Sequence, residues 1–287
     1  TEPFVPAAFL WENCSAAADG AALCFLFIIC IRVKERLCRR LIDFKRWKEL
    51  NENQRLPFGK NLTMLTDFYE ITMANGYFTN GFQDKIAYFD MFFRKIPDSG
   101  GFAIMAGVQQ LVEYLKDLHF TKEDLDYLRS TKIFDEGFID YLARFKFDCD
   151  VWVVPEGTPI FPGEPIVTVR GSVIQAQFIE TMVLLCVNHQ TLIATKANRI
   201  VRAARGRAVM EFGTRRAQGF DGAVYGARAA YIGGCAGTAC TICDRDFGIP
   251  AMGTMAHSWV QLFDSEFDAF RAYAREYPSQ CTLLVDT

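Results

Sequence analysis

The sequence predicts an α/β protein with an α+β N-terminal domain, and three observations lead there. Short β-rich runs separated by PEG, PGEP and RGS fill residues 150–169, the texture of a small antiparallel sheet or barrel. From residue 208 onward strand-like and helical segments alternate, as βα units do in a parallel sheet or barrel. The 287 residues are 51% hydrophobic and 14% aromatic, enough for a large core and, at about 150 residues per domain, for two domains.

Residues 1–60 are read as an unassigned extension and linker. The chain starts at Thr1 instead of Met, so processing or an incomplete gene is expected to have set that end. Residues 20–31, GAALCFLFIICI, are an uninterrupted apolar run followed by a basic stretch from Arg32 to Lys48. The run falls short of the roughly 18 residues of a membrane span, and its charges follow it instead of preceding it as in a secretory signal. No membrane partner is therefore expected. Residues 51–60, NENQRLPFGK, read as a polar linker.

The α+β domain is placed at 61–186. Helical spacing begins at Leu65, with Thr66 or Asp67 as the cap of FYEITMANGYF and Gly76 near its end. A strand follows over 86–93, then a turn in IPDSGG. Helices are expected over 107–118, from the capping sequence at Thr121, and over 134–144. The β-rich runs are 150–154, 158–161 and 165–169, and two apolar helices, 173–188 and 192–205, bridge to the second domain at 187–287. There, strands over 208–213, 249–254 and 282–285 alternate with helices over 222–233 and 265–277.

Charge and cysteine usage narrow the function class. The 31 basic and 34 acidic residues leave a net charge of -3, without the basic excess of a nucleic-acid binder, so no nucleic-acid partner is expected. Ten cysteines lie scattered among only three histidines, which suits buried thiols in a reducing, cytoplasmic setting. The pair Cys240 and Cys243 in CTIC has no second CxxC and no histidine at ligand spacing, so it reads as packing, and no metal-binding residue is assigned.

In a βα layout the chemistry gathers at the carboxyl ends of the strands. AVMEF runs into Gly213, Thr214, Arg215 and Arg216; IPAMG runs into Thr254, His257 and Ser258; CTLLV runs into Asp286. A guanidinium after a strand-end glycine can grip a carboxylate or phosphate bidentately, or else pair with a structural acid such as Glu211. His257 sits among small residues that leave an imidazole room to exchange a group, although a lone histidine also serves structurally. His119 and His189 read as ordinary surface and helix residues. The glycine-rich IGGCAGTAC is neither a P-loop nor a dinucleotide fingerprint, but suits close backbone approach. By spacing alone Tyr69 reads as a core residue.

Four motifs, LTDFYEITMANGYF at 65–78, FFRKIPDSGGFAIMAG at 92–107, EFGTRRAQGFDGA at 211–223 and GTMAHSWV at 253–260, together resemble nicotinate phosphoribosyltransferase from about Asn61 to Thr287. The resemblance implies a type II phosphoribosyltransferase-like incomplete α/β barrel, with 61–186 as the family's N-terminal α+β domain and 187–287 as the first part of its catalytic barrel. It implies that nicotinate and phosphoribosyl diphosphate become nicotinate mononucleotide and diphosphate, coupled to ATP hydrolysis with Mg2+, at the entry to NAD salvage in a cytoplasmic homodimer. By the same resemblance His257 is the histidine phosphorylated by ATP. Tyr69 stacks on the pyridine ring, reaching a neighbour's site across the dimer, and Phe212 supplies the opposing face. Arg215, with Thr254, Ser258 and Asp286, binds substrate.

The related nicotinamide enzyme carries an aspartate after the glycine and threonine equivalent to Gly237 and Thr238, and this chain has Ala239 there. A carboxylate would repel nicotinate, so its absence favours the acid. The GTAC loop departs from the family's more usual residues. The family also continues well past LLVDT, so a truncated chain, poorly stable and inactive alone, is expected. The alternatives are an inactive fragment, a binding subunit tethered through residues 20–48, or a nicotinamide or quinolinate phosphoribosyltransferase.

Overall fold

A computed structural model describes residues 42–43 and 61–287. The apolar run at 20–31 and the linker at 51–60 lie outside the described residues.

Helix and sheet are mixed, as expected. A four-stranded antiparallel sheet runs in the order β1 (Ile42–Asp43), β4 (Asp150–Val153), β6 (Val167–Ser172), β2 (Ile86–Met91). Alternation sets its inner face: Ala87, Phe89 and Met91 of β2 and Val167 and Val169 of β6 are buried, while the residues between them are more exposed. The strand at 42–43, within the stretch to which the sequence assigned no domain, pairs with Val153 and Trp152 of β4.

Helices cover this face. They are α1 (Phe68–Thr79), α2 (Val108–Lys116), α3 (Lys122–Ser130), α4 (Glu136–Ala143), the short α5 (Val173–Phe178) and the 24-residue α6 (Glu180–Ala203). The expected cap of α3 is a full capping box, with Asp124 N donating to Thr121 Oγ1 and Thr121 N to Asp124 Oδ2. Phe78, Phe138, Tyr141, Phe145, Phe120 and Phe178 form one connected run of aromatic contacts in the core.

The break expected near residues 189–191 falls instead at Ile179. The polar residues that read as an interruption are satisfied inside the fold. Gln190 donates to Gln110 Oε1 at 2.7 Å, while Thr191 and Thr195 accept Ala106 N and Ile104 N at 3.1 and 2.9 Å. Those last bonds dock β3 (Ala103–Ile104), which pairs with β5 (Pro159–Ile160), onto α6. Among the described residues, 173–203 is the one stretch long and apolar enough to cross a membrane, and more than half of its apolar window is buried here.

Beyond α6 the sheet is parallel. β7 (Met210–Glu211) and β8 (Gly237–Thr238) flank α7 (Phe220–Ile232), and Ala251 bridges to Thr238 after α8 (Thr241–Phe247). The expected strands 208–213 and 249–254 thus contract to two residues and one bridge. The expected strand 282–285 does not form: no neighbouring strand among the described residues completes its ladder, and Leu283 and Val285 are exposed. Two helices, α9 (His257–Gln261) and α10 (Glu266–Glu276), close this part, with Trp259 Nε1 donating to Ala269 O at 3.1 Å. Cys149, Cys186, Cys235, Cys240 and Cys243 are buried free thiols, in line with the packing reading of CTIC.

Candidate functional site

Three strand ends meet at one edge. Ala239 N donates to Glu211 O at 2.9 Å and Met252 N to Thr238 O at 2.8 Å, so β7, β8 and the Ala251 bridge finish side by side. Phe212, Ala239 and the segment leading to Thr254 therefore emerge together; of the three strand ends expected to converge, those after 208–213 and 249–254 meet here and the one after 282–285 does not form.

Glu211 shapes this edge. Its carboxylate accepts Thr238 Oγ1 at 2.6 Å and also Gly213 N, locking the turn after β7 to β8. The alternative in which Glu211 pairs with one of the arginines is not what forms among the described residues, since its carboxylate is engaged by a hydroxyl and a backbone N–H instead. Residues Thr214–Arg216 then form one 3-10 turn, with Arg216 N donating to Gly213 O at 2.8 Å. Phe212, Arg215 and Arg216 are exposed, and the Thr214 hydroxyl is buried with no hydrogen-bond partner among the described residues. An apolar ring and cationic groups standing free beside a buried hydroxyl can receive a flat anionic molecule.

His257 begins α9, directly after the loop that carries Thr254. Its Nε2 lies 3.9 Å from Asp286 Oδ1, and its Nδ1 lies 3.2 Å from Thr287 Oγ1. Asp286 thus reaches the imidazole from irregular chain and not from the strand end at which the sequence expected it. Ser258 is the next residue of the helix and is exposed, and the Thr254 hydroxyl turns to Met255 O at 3.1 Å. Among the described residues no group of three or more His, Cys, Asp or Glu side chains could hold a metal ion.

Tyr69 belongs to a second cluster, at the junction of α1 and α6. It is 44% exposed, which corrects the core reading from spacing. Burial of its hydroxyl, and then a hydrogen bond to Glu180, push its pKa up. Glu70, fully buried, accepts Thr181 N at 3.0 Å and Thr181 Oγ1 at 2.7 Å through Oε1, and the Thr66 hydroxyl through Oε2. Thr181 Oγ1 also accepts Asp67 N at 3.0 Å. Burial raises the Glu70 carboxyl to about 7, against the opposing effect of the Thr181 and Thr66 hydrogen bonds. Glu180, pushed up by its own burial, also accepts Gln177 Nε2 at 2.9 Å.

Sequence reasoning missed Glu70 and Glu180. A signal existed for Glu70, which shares a helical face with buried Ile71 and Ala74. Glu180 offered none, because its role depends on α1 packing across it.

Residues 64–188 match the family model described as the nicotinate phosphoribosyltransferase (NAPRTase) N-terminal domain. The nicotinate phosphoribosyltransferase pncB2 of Mycobacterium tuberculosis is 47% identical over 224 residues, covering 78% of this chain and 48% of that protein. The nicotinate phosphoribosyltransferase of Bacillus subtilis is 43% identical over 227 residues, covering 79% of this chain and 46% of that protein. The crystal structure of human nicotinic acid phosphoribosyltransferase superposes with a TM-score of 0.64 at 35% identity, over 69% of this chain and 40% of that one. The chain spans about half the length of the curated relatives it matches. Over the span it shares with these proteins, the chain belongs to the nicotinate phosphoribosyltransferase family.

Proposed function

We propose that the protein carrying this chain makes nicotinate mononucleotide from nicotinate and phosphoribosyl diphosphate, as a cytoplasmic homodimer at the entry to NAD salvage. The observation that carries this reading is the 47% identity over 224 residues to a protein of that name. In the reaction the pyridine nitrogen bonds to the ribosyl carbon as diphosphate leaves. Residues 61–186 serve as the N-terminal domain, and 187–287 supply the first strands of an α/β barrel whose carboxyl edge is the site.

Phe212 offers one face to the pyridine ring and Tyr69 of a neighbouring protomer the other, while Arg215 takes the carboxylate with Thr254 and Ser258 beside it. The exposure of Phe212 and Arg215 supports these roles. Ala239 at the same edge presents no carboxylate to repel an acid substrate.

His257 takes the phosphoryl group of ATP. A phosphoimidazole there adds negative charge 3.9 Å from Asp286, and the resulting repulsion drives a rearrangement of the loop between Thr254 and the helix. Mg2+ has no protein cage among the described residues, and such ions are commonly held by one or two carboxylates together with substrate phosphates.

Product formation by the protein carrying this chain, with nicotinate or nicotinamide as alternative acceptors, tests the reading. Nicotinate mononucleotide with little turnover of nicotinamide is expected. Preference for nicotinamide would sink the assignments of Arg215 and Ala239.

A further inference from the structure

Where α4 ends and α5 begins there is a cavity that the proposed reaction does not use. It encloses about 320 Å³ and is lined by Tyr141, Arg144, Phe145, Lys146 and Gln175. None of these residues belongs to β7, β8 or α9, the elements that carry the candidate site.

The aromatic side of the cavity is built in advance. Tyr141, on the last turn of α4, packs against Phe138 and Phe78 with ring centroids 6.3 and 5.7 Å away. Phe145, on the irregular chain leading to β4, rests on Phe120 and Phe178 at 5.5 and 5.7 Å. The two rings meet edge to face, 6.5 Å apart at 85°. Each is half-buried and held by the core, so little ordering is left to be done when a ligand arrives. Gln175 Oε1 accepts Asp148 N at 2.8 Å, which leaves the amide NH2 as the group this side chain can offer a ligand.

The other side is cationic. Arg144 and Lys146 are exposed, and among the described residues neither enters an ion pair. Arg144 donates through Nε to Asp140 O at 3.1 Å, so its terminal NH2 groups stay available. No acid lines the cavity, although the chain as a whole carries a net charge of -3. Charge at the carboxyl end of α4 explains Arg144, which caps that helix, but neither Lys146 two residues on nor the aromatic side.

A cavity of this size, apolar with a few polar groups at its edge, suits a small molecule. Ring surfaces accept a flat ring, and two neighbouring cations match the roughly two negative charges of a phosphate monoester better than the single charge of a carboxylate. We propose that this cavity binds a nucleotide, with the aromatic base against Tyr141 and Phe145 and the phosphate on Arg144 and Lys146, apart from the catalytic edge.

Titration calorimetry of the protein carrying this chain with adenosine monophosphate tests it. The double variant Arg144→Ala with Lys146→Ala should bind the nucleotide about tenfold more weakly than wild type, with the nicotinate KM and kcat unchanged. Adenosine, which lacks the phosphate, and ribose 5-phosphate, which lacks the base, should each bind wild type at least about tenfold more weakly than the nucleotide.

Equal affinity of the double variant and wild type overturns the proposal. Adenosine matching the nucleotide removes the role of the cations, and ribose 5-phosphate matching it reduces the site to adsorption of any anion, so either result is also fatal. A changed nicotinate KM would mean that the two cations serve the catalytic edge, against the separation proposed. If the double variant fails to fold, Lys146→Glu, which leaves the cap of α4 intact, decides: weakened binding supports the proposal and unchanged binding overturns it.

Discussion

Arg228 on α7 donates to both carboxylate oxygens of Glu156, at 2.9 Å to Oε1 and 2.6 Å to Oε2. The same Oε1 accepts Gly107 N and Val108 N at 2.8 and 2.9 Å, so one acid ties the start of α2 to the helix between β7 and β8. Arg228 Nε also donates to Gln109 Oε1 at 3.0 Å. The pair is largely buried, with 11% and 20% of the two side chains exposed. It joins the part built on the antiparallel sheet to the part that bears the candidate site.

Breaking this pair should be expensive. Arg228→Met leaves a buried carboxylate uncompensated and should cost about 3–5 kcal/mol in urea unfolding. Burial alone raises Glu156, but the Arg228 guanidinium and the two backbone N–H groups outweigh it and hold the carboxyl below its ordinary range. Stability from a depressed carboxylate is complete above its unfolded pKa and lost as pH falls through the folded one. The advantage of wild type over Arg228→Met should therefore be full at neutral pH and shrink in acid. An advantage independent of pH would contradict the assignment.

Glu70 should act with the opposite sign. Its folded pKa of about 7 lies above the ordinary 4.5, so the native state holds its proton more tightly than the unfolded chain. Stability from this group is full below 4.5 and falls as pH rises to about 7. Glu70→Gln can accept from Thr181 and has no proton to lose. Its unfolding midpoint, followed across that window, should stay flat where wild type declines, and parallel curves would refute the shift.

Two glycines should answer alanine differently. Gly107 has φ +101°, and a Cβ there would sit 2.4 Å from Cys186 O on α6, so Gly107→Ala should cost at least about 2 kcal/mol. Gly76 in α1 has open space around its Cβ position, and Gly76→Ala should stabilise by about 0.5–1 kcal/mol through helix propensity. Thermal denaturation of the two variants reads both signs.

Arg215→Ala should raise the nicotinate KM about 30–100-fold by removing a charge-assisted bidentate contact, and Arg215→Lys should recover only part of it. Equal activity of the lysine variant and wild type would mean that charge alone is used at this position.

Periodicity read from sequence located most helices of the part before residue 180, because α1 to α4 bury apolar residues at helical spacing and α3 and α4 carry local side-chain caps at Thr121 and Asp135. It misjudged α6, where buried Gln190, Thr191 and Thr195 look like a break until their partners on α2 and β3 are in place. Strand length after residue 208 was also overestimated. A parallel strand exists only as far as its neighbour pairs with it, and apolar runs cannot report that. At the candidate site, Arg215 and His257 stand out by their place after predicted strands, and Phe212 by the family resemblance alone. The tie from Glu70 to Thr181 escaped because it joins residues more than a hundred positions apart.

The most direct test of the central claim is nicotinate mononucleotide formation by the protein carrying this chain, with and without ATP, in wild type and His257→Ala. Turnover that ATP stimulates in wild type, with the stimulation lost in His257→Ala, is the predicted result. No product from nicotinate would contradict the proposed activity, and ATP stimulation that survives in His257→Ala would contradict the role given to His257.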